Sequence, residues 1–366
     1  MKYIKYIGIS CIILLLVIFF KKKHHKYWNK QPVSTKKIVK EGIITTIIPA
    51  PIKPKKRYYV KFLNNQYYGD IGIFLSEHYI KNYNYNTQSI SWLLSYPYMV
   101  ERNRIAIYNE NRIVSFICAK PMSINIKDKP LQLHYIDLLA VHKDKRKKNL
   151  APTIISYAAA LCYTGNYTSY IFKIERKPLP FRYISKSKYA FFNIRTNTLE
   201  PLKLPNQYSL ELLESDNIDK SFSFFILSQK KYKLGFFPDK VQFDYYFKNV
   251  KDVNITYILK LEDKIIGLCN IVLNTVKLFG KYEYVGELTT IELEPQVTIN
   301  ISDFMKLVIF KLREINITYI NIVNIAQNRI IIDRLGFGYG MDVYFHMYNY
   351  HINEILKSYE IGYNPV

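Results

Sequence analysis

"YIDLLAVHKDKRKKNLAP", residues 135–152, decides how this chain is read. Its first seven residues are apolar apart from Asp137 and suit a buried strand. Five basic residues, Lys143, Lys145, Arg146, Lys147 and Lys148, then surround Asp144. The apolar stretch "LAPTIISYAAALCY" follows and predicts a helix from about Pro152 to Tyr163. A helix N-terminus leaves backbone N–H groups unpaired and carries about half a positive charge, so anions bind there. Pro152 in the first turn lacks only an N–H that would be orphaned anyway. Strand, basic loop and helix together point to a site for a phosphorylated ligand. The competing reading is a solvated turn in a Lys-rich protein.

The chain has 366 residues and a formal charge of +23, which suggests a polyanionic partner. Lys, Ile, Tyr (34 copies) and Asn are all over-used, and their codons are AT-rich. A viral or other AT-rich genome accounts for much of that bias, so the local cluster weighs more than the global charge. A nucleic-acid module would interleave aromatics with its basic residues; "HKDKRKKN" has none, and no nucleic acid is expected. Length allows two domains or one large one, and 49% hydrophobic residues can bury a substantial core. Cys11, Cys118, Cys162 and Cys269 lie far apart, with no C-x-x-C and no Cys/His grouping. Neither a disulfide framework nor a metal site is supported, and a reducing, cytosolic setting fits.

The N-terminus reads as a separate unit, residues 1–25. Tyr6 to Phe20 is an unbroken apolar run with Lys2 and Lys5 before it and Lys21, Lys22 and Lys23 after it. It is short for a span, but no small-x-small cleavage site follows, so an uncleaved membrane anchor is expected. Residues 26–56 carry Pro32, Pro49, Pro51 and Pro54 and read as an extended arm, with Tyr27 and Trp28 in "KYWNKQPV".

The remainder reads as one α+β unit used twice. "IYNENRIVSFICA" (107–119) and "LKLEDKIIGLCNI" (259–271) each alternate as strand, charged turn, strand. Glu110 matches Glu262 at an offset of 152. At that offset "SISWLLSY" meets "VQFDYYFK", and "HYIDLLAV" meets "GELTTIEL". The order in each half is helix, hairpin, strand, helix, strand. Only the first half has the basic loop; "EPQVTINISDF" stands at its counterpart.

"RKKNLA" has the R-x-x-G-x-A form of the acyl-CoA loop in GNAT acyltransferases, with Asn149 for Gly, and Asn tolerates positive φ. The whole stretch 135–152 resembles the signature of the glycylpeptide N-myristoyltransferases (N-tetradecanoyltransferases), without a gap. "KYWNKQPV" resembles that family's F-W-x-T-Q-P-V arm, "RLGFGYG" and "YNY" (348–350) its late motifs, and "KLPN" (203–206) its connector. The resemblance covers roughly residues 26–366.

It implies two tandem GNAT-like halves, residues 57–202 binding myristoyl-CoA and residues 203–366 binding the peptide, with the arm over the CoA site. The implied reaction moves a myristoyl group to the N-terminal glycine amine of peptides or nascent proteins. Myristoyl-CoA is then a co-substrate, with no permanently bound cofactor. Lys26, Tyr27 and Trp28 match the arm covering the CoA. Leu138 and Leu139 match the backbone oxyanion hole, and Ala140 and Val141 continue along the pantetheine. Arg146, Lys147, Lys148, Asn149, Leu150 and Ala151 match the phosphate turn. On the peptide side the implied residues are Tyr183 in "RYIS", Thr289 in "GELTTIEL" and Asp342 after "GYGM". The family uses its terminal carboxylate as base, which falls here on Val366; a frayed tail is the bland alternative. Departures cluster on the peptide side, where the family's Y-T-A-G segment has no clean counterpart. A membrane-tethered, catalytically impaired acyl-CoA-binding scaffold is therefore the rival. A monomer is expected, cytoplasmic and membrane-associated through residues 6–20.

Overall fold

The two-residue hairpin turns use left-handed backbone, as turns between twisted strands require. Glu110 and Asn111 take φ of 50° and 63° and close Asn109 onto Arg112. Lys127 and Asp128 (51° and 63°) do the same between Ile126 and Lys129. In the second half Glu262 (53°) lies between the paired Leu261 and Lys264. The computed structural model describes residues 27–35, 38, 40–47, 49–80, 83–162, 167–278 and 280–366. The expected anchor, Tyr6 to Phe20, and Lys26 lie outside the described residues.

The first strands are β1 (Gly42–Ile43), β2 (Tyr59–Phe62), β3 (Tyr83–Asn84), β4 (Arg104–Asn109), β5 (Arg112–Ile126) and β6 (Lys129–Val141). Then come β7 (Tyr170–Glu175), β8 (Ser185–Asn193), β9 (Tyr208–Leu212), β10 (Leu234–Phe236) and β11 (Asn254–Leu261). The last are β12 (Lys264–Leu278), β13 (Lys281–Leu293), β14 (Ile317–Val323), β15 (Gly338–Tyr348) and β16 (Tyr350–His351). The helices are α1 (Tyr68–His78), α2 (Thr87–Leu94), α3 (Leu150–Cys162), α4 (Ile218–Gln229), α5 (Lys240–Phe247), α6 (Ile301–Glu314) and α7 (Asn328–Leu335).

The repeat is carried by whole elements. Adding 152 to the bounds of β5 and β6 gives those of β12 and β13. Helices α2 and α5 fall on the two segments that the offset pairs, and α3 corresponds to α6. Each half also opens with a strand and a helix that the sequence pattern does not mark: β2 and α1, then β9 and α4. In both halves the central strand runs parallel to the strand after its helix, β6 to β7 and β13 to β14.

The halves join into one 14-stranded sheet, in the order β2-β4-β5-β6-β7-β15-β8-β14-β13-β12-β11-β9, with β10 and β3 off that path. The seam is an exchange. Strand β15, late in the chain, pairs with β7, while β8, earlier, pairs with β14. Helix α3 packs Leu150, Ile154 and Ala158 against Ile105, Ile107 and Ile117 of the first half. Helix α6 buries Phe304, Met305, Val308, Ile309 and Leu312 against the second. A third cluster packs Ile361 and Tyr363 of the C-terminal tail with Phe225 and Phe243.

Candidate active site

Strand β6 ends at Val141, and a short 3-10 turn, Lys143–Lys145, opens the basic loop. His142 caps it, its Nδ1 accepting the Asp144 N–H at 3.2 Å. Its ring lies 4.0 Å from that of His78 at the end of α1. Burial and then the charge of His142 lower the pKa of His78. Lys147 and Asn149 both take left-handed φ, 62° and 65°, and α3 starts at Leu150. The Asn149 carbonyl accepts the Thr153 N–H at 3.1 Å and the Thr153 hydroxyl at 2.8 Å. Arg146, Lys147, Lys148 and Asn149 are on the outside of the loop, Leu150 is buried beneath them, and Ala151 is half-buried. Outward-facing cations before a helix start are suited to holding an anion. The matching helix α6 is closed by its own Asn300, whose side chain accepts the Ser302 and Asp303 N–H groups at 3.0 Å.

Upstream, β6 carries a bulge. Its register with β5 passes from Asp137↔Cys118 to Ala140↔Phe116, so Leu138 and Leu139 face the single residue Ile117. Leu138 has φ of 55°, uncommon for a leucine and of the kind concentrated at functional sites. Its N–H donates to Asp137 Oδ1 at 2.8 Å. Ala140 and Val141 resume the ladder.

Leu138 and Leu139 line a cavity of about 690 Å³ that reaches across the seam to β12, β13 and β14. Tyr79, Tyr83, Tyr85, Tyr135 and Tyr189 give it an aromatic wall. Burial raises the phenols of Tyr79, Tyr85, Tyr135 and Tyr189 well above their ordinary value, so they stand as neutral hydroxyls. Asp137, Glu175 and Glu287 supply carboxylates and Lys173 a cation. Burial raises the pKa of Glu175.

Val366 lines the same cavity. Residues 361–365 are buried, and the tail is held at several points. Gly362 N–H donates to Leu234 O at 2.9 Å, and Asn364 N–H to Thr289 O at 2.9 Å. The fully buried Asn364 side chain donates to Glu287 Oε1 at 3.1 Å and accepts from Lys173 Nζ at 2.8 Å. The Val366 main-chain oxygen accepts from Lys120 Nζ at 2.7 Å, and Lys120 also pairs with Asp137 Oδ2 at 2.8 Å. Burial alone would raise the Asp137 pKa, but the Lys120 cation and the Leu138 N–H hold it below its ordinary value. Sequence reasoning does not single out Lys120 or Lys173. For Lys120 the available signal is a lone Lys inside the apolar run "SFICAKPMSI".

The arm packs where β7, β15 and α3 meet. Trp28 is buried, 4.9 Å from the Phe181 ring and clustered with Tyr170, Tyr348 and Ala159 of α3. Tyr27 stands edge-on to it. Tyr348 donates to Gln31 Oε1 at 3.0 Å, Val33 bridges to Tyr348, and Ile52 N–H reaches Ser156 Oγ of α3 at 2.8 Å. Of the three residues named for the peptide side, Tyr183 and Asp342 meet on Tyr344 while Thr289 lies apart, and none lines the cavity. Thr289 is buried and donates to Asn270. Asp342 is turned to Lys186 at 2.8 Å, and that contact lowers its pKa. Tyr183 packs on Tyr344, with ring centroids 5.2 Å apart. The cavity wall at that end comes instead from Gly340 and Met341. Among the described residues no group of three or more His, Cys, Asp or Glu is arranged to hold a metal, and no helix is long and apolar enough to cross a membrane.

Residues 44–175 match the family described as myristoyl-CoA:protein N-myristoyltransferase, N-terminal domain. A glycylpeptide N-tetradecanoyltransferase of Schizosaccharomyces pombe is 21% identical over 394 residues, covering 90% of this chain and 84% of that protein. A putative one of Amsacta moorei entomopoxvirus is 26% identical over 227 residues, covering 59% of this chain and 68% of its own length. The match to the Kluyveromyces lactis enzyme, 22% identical, spans 65% of this chain and 62% of that protein, less than two thirds of its length. The crystal structure of Saccharomyces cerevisiae N-myristoyltransferase with bound myristoyl-CoA superposes with a TM-score of 0.82 at 19% identity, covering 92% of this chain and 94% of the other. That likeness extends through both halves and fixes the fold as the tandem GNAT-like one. Over residues 44–175 the chain matches the N-terminal domain of the N-myristoyltransferases, and through both halves it has their fold.

Proposed function

We propose that this chain transfers the myristoyl group of myristoyl-CoA to the N-terminal glycine amine of proteins. One observation carries the reading: the Leu138–Leu139 bulge and Val366 line a single cavity, on the strand that runs into the basic loop. The CoA phosphates would sit on Arg146 to Ala151, the pantetheine along Ala140 and Val141, and the arm residues Lys26, Tyr27 and Trp28 over the thioester ligand. The amine would attack the thioester carbonyl directly, and backbone N–H groups at the bulge would receive the oxyanion. Such a donor typically accounts for about 10²–10³ in rate. The α-carboxylate of Val366 would take the proton the amine must lose. Residues 57–202 then serve the acyl-CoA and residues 203–366 mainly the peptide, with Tyr183, Thr289 and Asp342 supporting that side from behind the cavity wall. Residues 6–20 would tether a monomer to membrane.

The scaffold reading has its own support. The Leu138 N–H is already engaged by a carboxylate, Asp137. One assay separates the two: incubate the full chain with labelled myristoyl-CoA and a peptide beginning with glycine. Label on the peptide amine is expected; tight binding of myristoyl-CoA without transfer would favour the scaffold.

A further inference from the structure

We infer that Lys120 is a positioning residue for the reaction proposed above: its ammonium ties the end of the tail to the oxyanion bulge, and so fixes where the base stands and how firmly it holds a proton. The inference rests on that reading of Val366 as the base. Lys120 lies mid-strand in β5, 2% exposed, and Nζ has two oxygen partners, Val366 O at 2.7 Å and Asp137 Oδ2 at 2.8 Å. The other oxygen of Asp137 accepts the Leu138 N–H at 2.8 Å. One cation, one carboxylate and one N–H thus connect tail to bulge in an unbroken chain. For stability alone this arrangement gains little, since a buried ion pair roughly offsets its own desolvation and an apolar pair would pack as well. Its specific consequence is electrostatic: an ammonium in contact with a carboxylate favours the ionised form. It also offsets the negative charge of Asp137 beside the place where an oxyanion would develop.

Other charges reach this cluster, and none substitutes for Lys120. On β5 and β4 the neighbours are the Cys118 thiol, which burial pushes up to about 12, and Arg104. Tyr79 after α1 and Tyr135 on β6 are neutral phenols. From β7 and β13 come Lys173, Glu175 and Glu287, and the cation among them, Lys173, is already committed to Glu287 and Asn364.

The test uses two variants with opposite expected signs. Asp137→Asn keeps the acceptor for Leu138 and leaves Lys120 to Val366 alone, so the terminal carboxylate should titrate lower than in the wild type. Lys120→Met combined with Asp137→Asn removes both charges, and the carboxylate should titrate higher. The full chain is labelled with valine carrying carbon-13 at its carboxyl, and the titrating terminal carboxylate is followed by NMR. The two variants should differ by about one pH unit or more, and the acid limb of acyl transfer should move with them while the Kd for myristoyl-CoA stays within about twofold. Midpoints coinciding in wild type and both variants would overturn the proposal. If the double variant does not fold, a midpoint in Asp137→Asn that fails to fall overturns it by itself. The titration needs no turnover, so a wild type that transfers nothing would refute the proposed function while the midpoints still decide the role of Lys120.

Discussion

Adding one methyl group at Gly362 should unseat the tail. A Cβ there would lie 2.2 Å from Tyr232 Cδ2 and 2.4 Å from Gln229 Oε1, against an ordinary carbon contact of about 3.5–4.0 Å. Neither neighbour can withdraw freely. Gln229 is fully buried, its Oε1 accepts the Phe236 N–H at 3.1 Å, and its Nε2 donates to Glu292 at 3.1 Å and to Gly362 O at 3.2 Å. Tyr232 donates to Glu292 at 3.2 Å. Overpacking a core typically costs about 1–3 kcal/mol, and each buried hydrogen bond lost adds about 1 kcal/mol. Moving the chain at residue 362 relieves the clash for the loss of two such bonds, Gly362 to Leu234 and Gln229 to Gly362. A shift of the chain at residue 362 alone is therefore the cheaper response, at about 2 kcal/mol, and it pulls on the bonds that hold Asn364 and Val366 behind it. For Gly362→Ala we expect acyl transfer to fall at least about tenfold, since about 1.4 kcal/mol is a factor of ten. Hydrogen exchange at Asn364 should accelerate, and affinity for myristoyl-CoA should hardly change because the basic loop is untouched. Full transfer activity with an unprotected tail would refute the role given to Val366; full activity with a protected tail would refute the steric argument.

Three further outcomes are expected. Reversing Lys147 and Lys148 together to Glu should weaken CoA thioester binding by about 2–4 kcal/mol, more at low salt, as charge-assisted contacts become repulsive; titration calorimetry reads this, and Tm should barely move because both side chains are exposed. Glu292, whose carboxyl burial pushes up to about 7, binds its proton more tightly folded than unfolded, so stability should decline as pH rises from about 4.5 to about 7, by up to about 3 kcal/mol. Denaturant unfolding across that range should show the decline in the wild type and a flatter curve in Glu292→Gln. Deleting residues 1–23 should release the protein from membranes in a flotation assay and leave acyl transfer intact.

The parts legible in the sequence are those specified locally. Strand alternation and two-residue turns fix β4–β5 and β11–β12, and the offset of 152 follows because both halves use the same local grammar. The basic loop is legible for the same reason, and Asn149 does adopt the left-handed φ that its place in the motif suggests. Lys147 adopts it as well, which no propensity of Lys indicates. The exchange of β8 and β15 is not legible, because neither strand carries a mark of its partner: pairing across more than a hundred residues is set by the closed sheet. A boundary at residues 202/203 consequently cuts the chain between β8 and β9 but not the structure, since β8 remains bonded to β14 and β15 to β7. The peptide-side residues show a related limit. Motif position names Tyr183, Thr289 and Asp342 but cannot say which way each side chain faces, and none of the three lines the cavity.

The exchange also accounts for where the site lies. Each half has a bulge-bearing or matching central strand followed by a helix, yet only the first helix is preceded by cations; the second is capped by Asn300. The second half therefore retains the shape of an acyl-CoA unit without the charge. What it supplies instead is reach. Its last segment leaves β16, passes under α4 through the contact that only a glycine at 362 allows, and ends against Lys120 of the first half. The cavity at the seam is thus closed by residues from both ends of the duplication. Neither half, taken alone, brings the end of the tail, the bulged strand and the basic loop to one place, so the arrangement proposed for catalysis would be a property of the joined sheet.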